Sequence, residues 1–171
     1  MPRSTFWPLR AAVLALTVVL FGCDHVTKHA AEAALAQGGA VNVVQGVLEL
    51  RYVENHDTAF SLLRTLGLTP VPAVLSTMAM VALIAVVGTW IAMRAQLGTV
   101  QHVGFALVLA GALGNVVDRA MRGFVVDFIH VSHWPIFNVA DVLVVLGVVA
   151  IAVADPRRWK AARTESRIAG S

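Results

Sequence analysis

The sequence predicts an all-α membrane protein, with four transmembrane helices and a small extracytoplasmic β-sheet between the first and second. Three observations carry that prediction. Of 171 residues, 58% are hydrophobic and only 13% charged, against about 45–50% and about 25% in soluble globular chains. Mean hydropathy is +0.76. Two segments, 65–93 and 95–117, run 29 and 23 residues without a charge, enough for the roughly 20 apolar residues that a span needs. This composition excludes disorder, collagen, a coiled coil and a disulfide-rich secreted fold.

The first and last spans are the informative ones, because each apolar run is short. Only 13 uncharged residues separate Arg10 from Asp24, and 13 separate Asp141 from Asp155. To cross a bilayer the first span must continue through Asp24, Thr27 and Lys28. The last must begin near Trp134 and carry Asn138 and Asp141. A charge at the bilayer centre costs about 2.5–3.5 kcal/mol on insertion scales, so such residues ask for a functional reason. In the third span Ala106, Ala110 and Gly114 recur every four residues, a stripe that permits close helix packing. The expected layout is a single polytopic domain over 1–171, with spans at about 9–29, 67–93, 99–120 and 135–154. An extracytoplasmic β segment lies at about 40–64 and a cytoplasmic tail at 156–171.

Orientation follows from Lys and Arg. Arg3, Arg10, Arg94, Arg157, Arg158, Lys160, Arg163 and Arg167 fall on one side, and Lys28, Arg51, Arg64, Arg119 and Arg122 on the other. The richer side is cytoplasmic, which puts both termini inside. Trp7, Trp90 and Trp159 then mark inner helix ends and Trp134 an outer one, as in an aromatic belt. The net charge of +3 thus reads as membrane orientation, and no nucleic-acid partner is expected. On the outer side, Val47-Leu48-Glu49-Leu50-Arg51-Tyr52-Val53 alternates with the period of a half-buried strand. Gly38-Gly39 breaks the chain before it and Asn55-His56-Asp57 turns it afterwards.

Arg3, Arg10, an apolar stretch and Leu20-Phe21-Gly22-Cys23 imitate a secretory signal with a lipidated cysteine. Phe21 is bulky where a cleavage site wants small residues, and the remaining chain is polytopic. Cys23 is therefore expected to be an unmodified cysteine buried in a helix.

The polar residues fall into helical sets. Asp24, Thr27 and Lys28 share one face at i, i+3 and i+4; Gly111, Asn115, Asp118 and Arg119 share another; Asn138 and Asp141 stand at i and i+3. All fall at the outer ends of their spans, so polar groups from three helices meet at one level. In the short outer connection, Asp127 lies between Val126 and Phe128, and desolvation should raise its pKa. Asp118 adjoins Arg119, which should keep it ionised. Two carboxylates sharing a proton can activate water for peptide hydrolysis, and Asp118, Asp127 and Asp141 are the candidates. No Gly-x-Ser-x-Gly elbow or His-Glu-x-x-His pair occurs, and His130 and His133 lack a third ligand. No metal or cofactor is expected. A transporter or proton-coupled channel, the alternative function, would string its acids through mid-membrane rather than gather them at one end.

Five blocks occur in order: Asp24-His25-Val26-Thr27-Lys28, Asn55-His56-Asp57-Thr58-Ala59-Phe60, the run from Gly111 to Arg119, Gly123-Phe124-Val125-Val126-Asp127-Phe128, and Phe137-Asn138-Val139-Ala140-Asp141. Together they resemble the motif set of the bacterial lipoprotein signal peptidases, the signal peptidase II family. The resemblance implies an aspartyl endopeptidase of the cytoplasmic (inner) membrane, acting near the outer leaflet. It would cut prolipoproteins before a diacylglyceryl-cysteine and be blocked by globomycin. It implies Asp127 and Asp141 as the catalytic pair and Asp118 as support. Asn55, Asn115, Arg119 and Asn138 would line the site, with Asp24 and Lys28 supporting the first helix. One departure stands out: Asp57 and Thr58 occupy positions where the family usually has Gly and Ala.

Overall fold

The computed structural model describes residues 6–56, 72–93 and 97–154. Among these residues four helices and three strands follow one another: α1 (Phe6–Leu35), β1 (Ala40–Val44), β2 (Leu48–Asn55), α2 (Pro72–Met93), α3 (Thr99–Arg122), β3 (Val125–Val131) and α4 (Val139–Val153). Positions 57 and 58, where the sequence departs from the family pattern, lie outside the described residues, as does the tail 156–171.

Among the described residues, the Ala11–Leu35 part of α1 and the whole of α3 are long and apolar enough to cross a membrane. The distribution of side chains is that of a protein solvated by lipid. Leu14, Val18, Val19 and Val26 on α1, Val81, Ile84 and Ile91 on α2, and Val145, Leu146, Val148 and Val149 on α4 all face outward, while Asp24, Lys28, Asp118 and Asn138 are wholly enclosed. A water-soluble chain rarely leaves so much contiguous apolar surface bare. Cys23 is exposed, contrary to the sequence expectation. Consecutive helical residues diverge by about 100°, so turning Asp24 inward turns Cys23 out.

α3 is the central helix and packs against α1, α2 and α4. Its approach to α4 is possible only because side chains are missing at the crossing. A Cβ on Gly104 would lie 2.9 Å from the Gly147 carbonyl oxygen, and one on Gly111 would collide with that of Ala140. α3 ends where Gly123 adopts the left-handed conformation (φ 81°) and its N–H donates to the Arg119 carbonyl, a route favourable to glycine. That turn sends the chain straight into β3.

β3 completes a three-stranded antiparallel sheet in the order β1-β2-β3. The sequence reading expects the alternating strand but leaves 123–133 as a loop. Val125-Val126-Asp127-Phe128 shows no alternation because both faces of β3 are buried. Val126 and Phe128 pack with Ala31 and Leu35 at the end of α1, which seats the sheet on that helix. α4 begins at Val139, four residues later than the span expected from 135. Phe137 is held extended by a bridge to Ile129, and a capping box of Asn138 and Asp141 starts the helix.

Candidate active site

The site forms where the C-terminal ends of α1 and α3 and the N-terminal end of α4 meet β2 and β3. Each backbone element delivers its side chain for a local reason. In the β2–β3 register Asn55 pairs with Val125, and Val53 with Asp127. Asn55 and Asp127 are therefore diagonal neighbours on one face, within reach of each other. Asn55 Nδ2 donates to Asp127 Oδ2 at 2.7 Å.

Asn138 bonds to both Asp127 and Asp141. As the N-cap of α4, its Oδ1 accepts from the Asp141 N–H at 3.0 Å, which directs its Nδ2 the other way, to Asp127 Oδ1 at 2.7 Å. Its backbone N–H donates to Asp141 Oδ2 at 3.1 Å. Asn115 Nδ2 supplies the second donor, to Asp141 Oδ1 at 2.9 Å. Both oxygens of each aspartate are thus addressed by a donor. Asp141 also sits in the first turn of α4, where unpaired N–H groups and the helix dipole favour an anion. Burial pushes the Asp127 carboxyl up to about 6, with the charge of Asp141 adding to the rise and the bonds from Asn55 and Asn138 opposing it.

Behind the carboxylates lies a second polar cluster. Lys28, fully enclosed, places Nζ 2.8 Å from Asp24 Oδ2, 2.9 Å from Asp118 Oδ2 and 3.1 Å from Asn115 Oδ1. Asp24 Oδ1 accepts from the Ala140 N–H at 2.8 Å, so a carboxylate of α1 occupies one of the open donors at the start of α4. Gly114 makes the passage: a Cβ there would collide with Asp24 Oδ2. Asp118 pairs across to Lys28 and one turn along to Arg122 at 3.6 Å, and its Oδ2 accepts from the Val126 N–H. Arg119, expected from the sequence to be the partner of Asp118, turns further round the helix. It donates to the Asn115 carbonyl at 3.3 Å, and its charge is felt at Asp127, Asp141 and Asp118.

All nine residues singled out from the sequence therefore occupy one connected region: Asp24, Lys28, Asn55, Asn115, Asp118, Arg119, Asp127, Asn138 and Asp141. Two further participants escape that reading, Arg122 and Glu32, joined at 2.7 Å. Their signal was present as i+4 spacings from Asp118 and Lys28. Thr27 stands apart, its hydroxyl donating back to the Asp24 carbonyl at 2.8 Å.

A helical frame with bare apolar faces that gathers buried carboxylates and asparagines at one end has the groups that an aspartic-type membrane protease needs. The comparisons with known proteins make the class specific. A family model described as Signal peptidase (SPase) II matches residues 16–155. The lipoprotein signal peptidase of Thermodesulfovibrio yellowstonii is 36% identical over 130 residues, covering 74% of this chain and 82% of that one. That of Rhodococcus jostii is 35% identical over 158 residues, covering 89% and 76%. A solved structure described as a bacterial membrane enzyme, 29% identical, superposes with a TM-score of 0.72 over 84% of this chain and 92% of the other. The chain belongs to the signal peptidase II family and is a protease of the aspartic type.

Proposed function

We propose that the protein removes signal peptides from prolipoproteins, cutting before a diacylglyceryl-modified cysteine, with Asp127 and Asp141 acting together on one water. The observation that carries this reading is the shared bracket of Asn138, whose amide and backbone N–H address the two carboxylates at 2.7 and 3.1 Å. The division of labour follows from their surroundings. Asp141, at a helix N-terminus with two N–H donors, is the ionised base. Asp127, desolvated and with its pKa raised to about 6, carries the proton. Water attacks the scissile carbonyl carbon and gives a proton to Asp141, while Asp127 protonates the carbonyl oxygen. Collapse of the tetrahedral intermediate breaks the C–N bond as the leaving nitrogen takes the proton held by Asp141 and a hydroxyl of the intermediate returns one to Asp127, which leaves acid and amine products and restores the pair without a covalent intermediate. Asn55, Asn115, Asn138 and Arg119 orient the pair and the substrate backbone, and Asp118, Asp24 and Lys28 support them.

In the same proposal the chain spans the cytoplasmic membrane four times, at about 9–29, 67–93, 99–120 and 135–154, with both termini inside and the site near the outer leaflet. Bare apolar faces on α1, α2 and α4 and the Lys and Arg distribution support it. Membrane lipid is then the solvent of those faces, and globomycin-type inhibitors compete for the site. The test is incubation of the purified protein with a prolipoprotein in its diacylglyceryl-modified and unmodified forms. Cleavage of the modified form alone, stopped by globomycin, is expected. Equal cleavage of both forms, or of neither, refutes the reading.

A further inference from the structure

The cluster behind the carboxylates contains more than charge balance needs. Asp24 and Asp118 occupy two directions around the Lys28 ammonium, and the third leads to a neutral group, Asn115 Oδ1 at 3.1 Å. That oxygen also accepts from Asn138 Nδ2 at 3.1 Å. An ammonium has only donors, and the Asn138 amide is fixed with its NH₂ on this side by the α4 cap. Asn115 therefore faces two groups that can only donate. Rotating its amide by a half-turn would set NH₂ against NH₃⁺ and aim a carbonyl oxygen at Asp141 Oδ1, 2.9 Å from the present nitrogen. One orientation survives, and it keeps an N–H on Asp141.

We propose that Lys28 is a positioning residue for proteolysis, locking the side-chain amide of Asn115 so that it always donates to Asp141. This rests on Asp141 being part of the catalytic pair. Lys28, fully enclosed, acts across α1, α3 and α4 through one amide. The lock also explains why the cation comes from α1, the helix that caps α4 through Asp24 at Ala140: the same helix sets where Asp141 stands and which hydrogen-bond partner it meets.

The test is a cycle in which Lys28→Met is made together with Asp118→Asn, removing one charge of each sign, with and without Asn115→Ala. In the Asn115 parent, the paired change should lower kcat by about 10–150-fold, the range for losing a hydrogen bond to a charged group. KM should move little. In the Asn115→Ala background the same change should cost no more than Asp118→Asn alone costs there, because Arg122 and the Val126 N–H lose that carboxylate in either background. An equal loss in both backgrounds overturns the lock and leaves Lys28 a structural cation. Lys28→Gln covers the case of a paired variant that does not fold. Its amide offers both donor and acceptor, so it frees Asn115 to rotate, and a folded Lys28→Gln protein with full kcat also refutes the proposal. Asp127→Asn and Asp141→Asn controls separate the two levels, because turnover in either one overturns the catalytic pair itself.

Discussion

Asn138 has two separable duties, and substitution can divide them. It caps α4 through Oδ1, and through Nδ2 it restrains Asp127 and also meets Asn115 Oδ1 and the Val126 carbonyl. Asn138→Ala removes both, whereas Asn138→Ser keeps a capping oxygen of comparable quality but is too short to reach Asp127. Losing the cap costs about 1 kcal/mol, and for a chain of this size that is about 2–4 °C in thermal midpoint. Losing a hydrogen bond to a neutral carboxyl, the form in which Asp127 acts, is worth about 0.5–1.5 kcal/mol, or about 2–13-fold in kcat/KM. The serine variant should therefore melt about 2–4 °C above the alanine variant, while both lose activity by similar factors. Thermal unfolding in detergent micelles and cleavage of a diacylglyceryl-modified precursor measure the two effects. A serine variant with near-parental activity would refute the role of the amide at Asp127, and one that melts with the alanine variant would refute the cap.

Three further outcomes follow from the same geometry. Gly111→Ala sets a methyl against the Ala140 carbonyl, which is backbone and cannot rotate away. Overpacking of this kind costs about 1–3 kcal/mol, so thermal stability and kcat should fall together, and an unchanged midpoint would contradict the packing. Because folding raises the Asp127 pKa from 3.8 to about 6, its neutral form stabilises the fold, an effect complete below pH 4 and lost as pH rises through about 6. Asp127→Asn should gain thermal stability relative to the parent as pH passes from 4 to 7, and parental kcat/KM should decline above about 6; an unvarying stability difference would show that Asp127 is not desolvated. For topology, single cysteines at Gln45 and Ser166 in a Cys23→Ala background should label from outside and only after lysis, respectively, with an impermeant thiol reagent; the reverse pattern overturns the orientation.

What was legible in the sequence was helical periodicity and the cost of polar groups in apolar runs. Asp24 and Lys28, Asn115 and Asp118, and Asn138 and Asp141 were spaced to share faces, and the structure brings those faces together. β3 was hidden because a strand buried on both sides loses the alternation that advertises it, and its pairing with β2 is nonlocal. The start of α4 at Val139 is not encoded locally, because the extended backbone at Phe137 depends on Ile129 of β3. The ion pair of Asp118 with Lys28 and the amide orientation of Asn115 depend on which helices touch. No spacing along one helix encodes that.

The most direct test of the catalytic pair is turnover of a diacylglyceryl-modified prolipoprotein by folded, membrane-inserted Asp127→Asn, Asp141→Asn and Asp118→Asn proteins. Asn keeps the shape of each side chain and removes its titration. The first two should be without detectable cleavage, and Asp118→Asn should retain measurable turnover with reduced stability, because its carboxylate serves Lys28, Arg122 and the Val126 N–H. Near-normal cleavage by Asp127→Asn beside a well-folded but inactive Asp118→Asn would contradict the account and move the pair to Asp118 and Asp141.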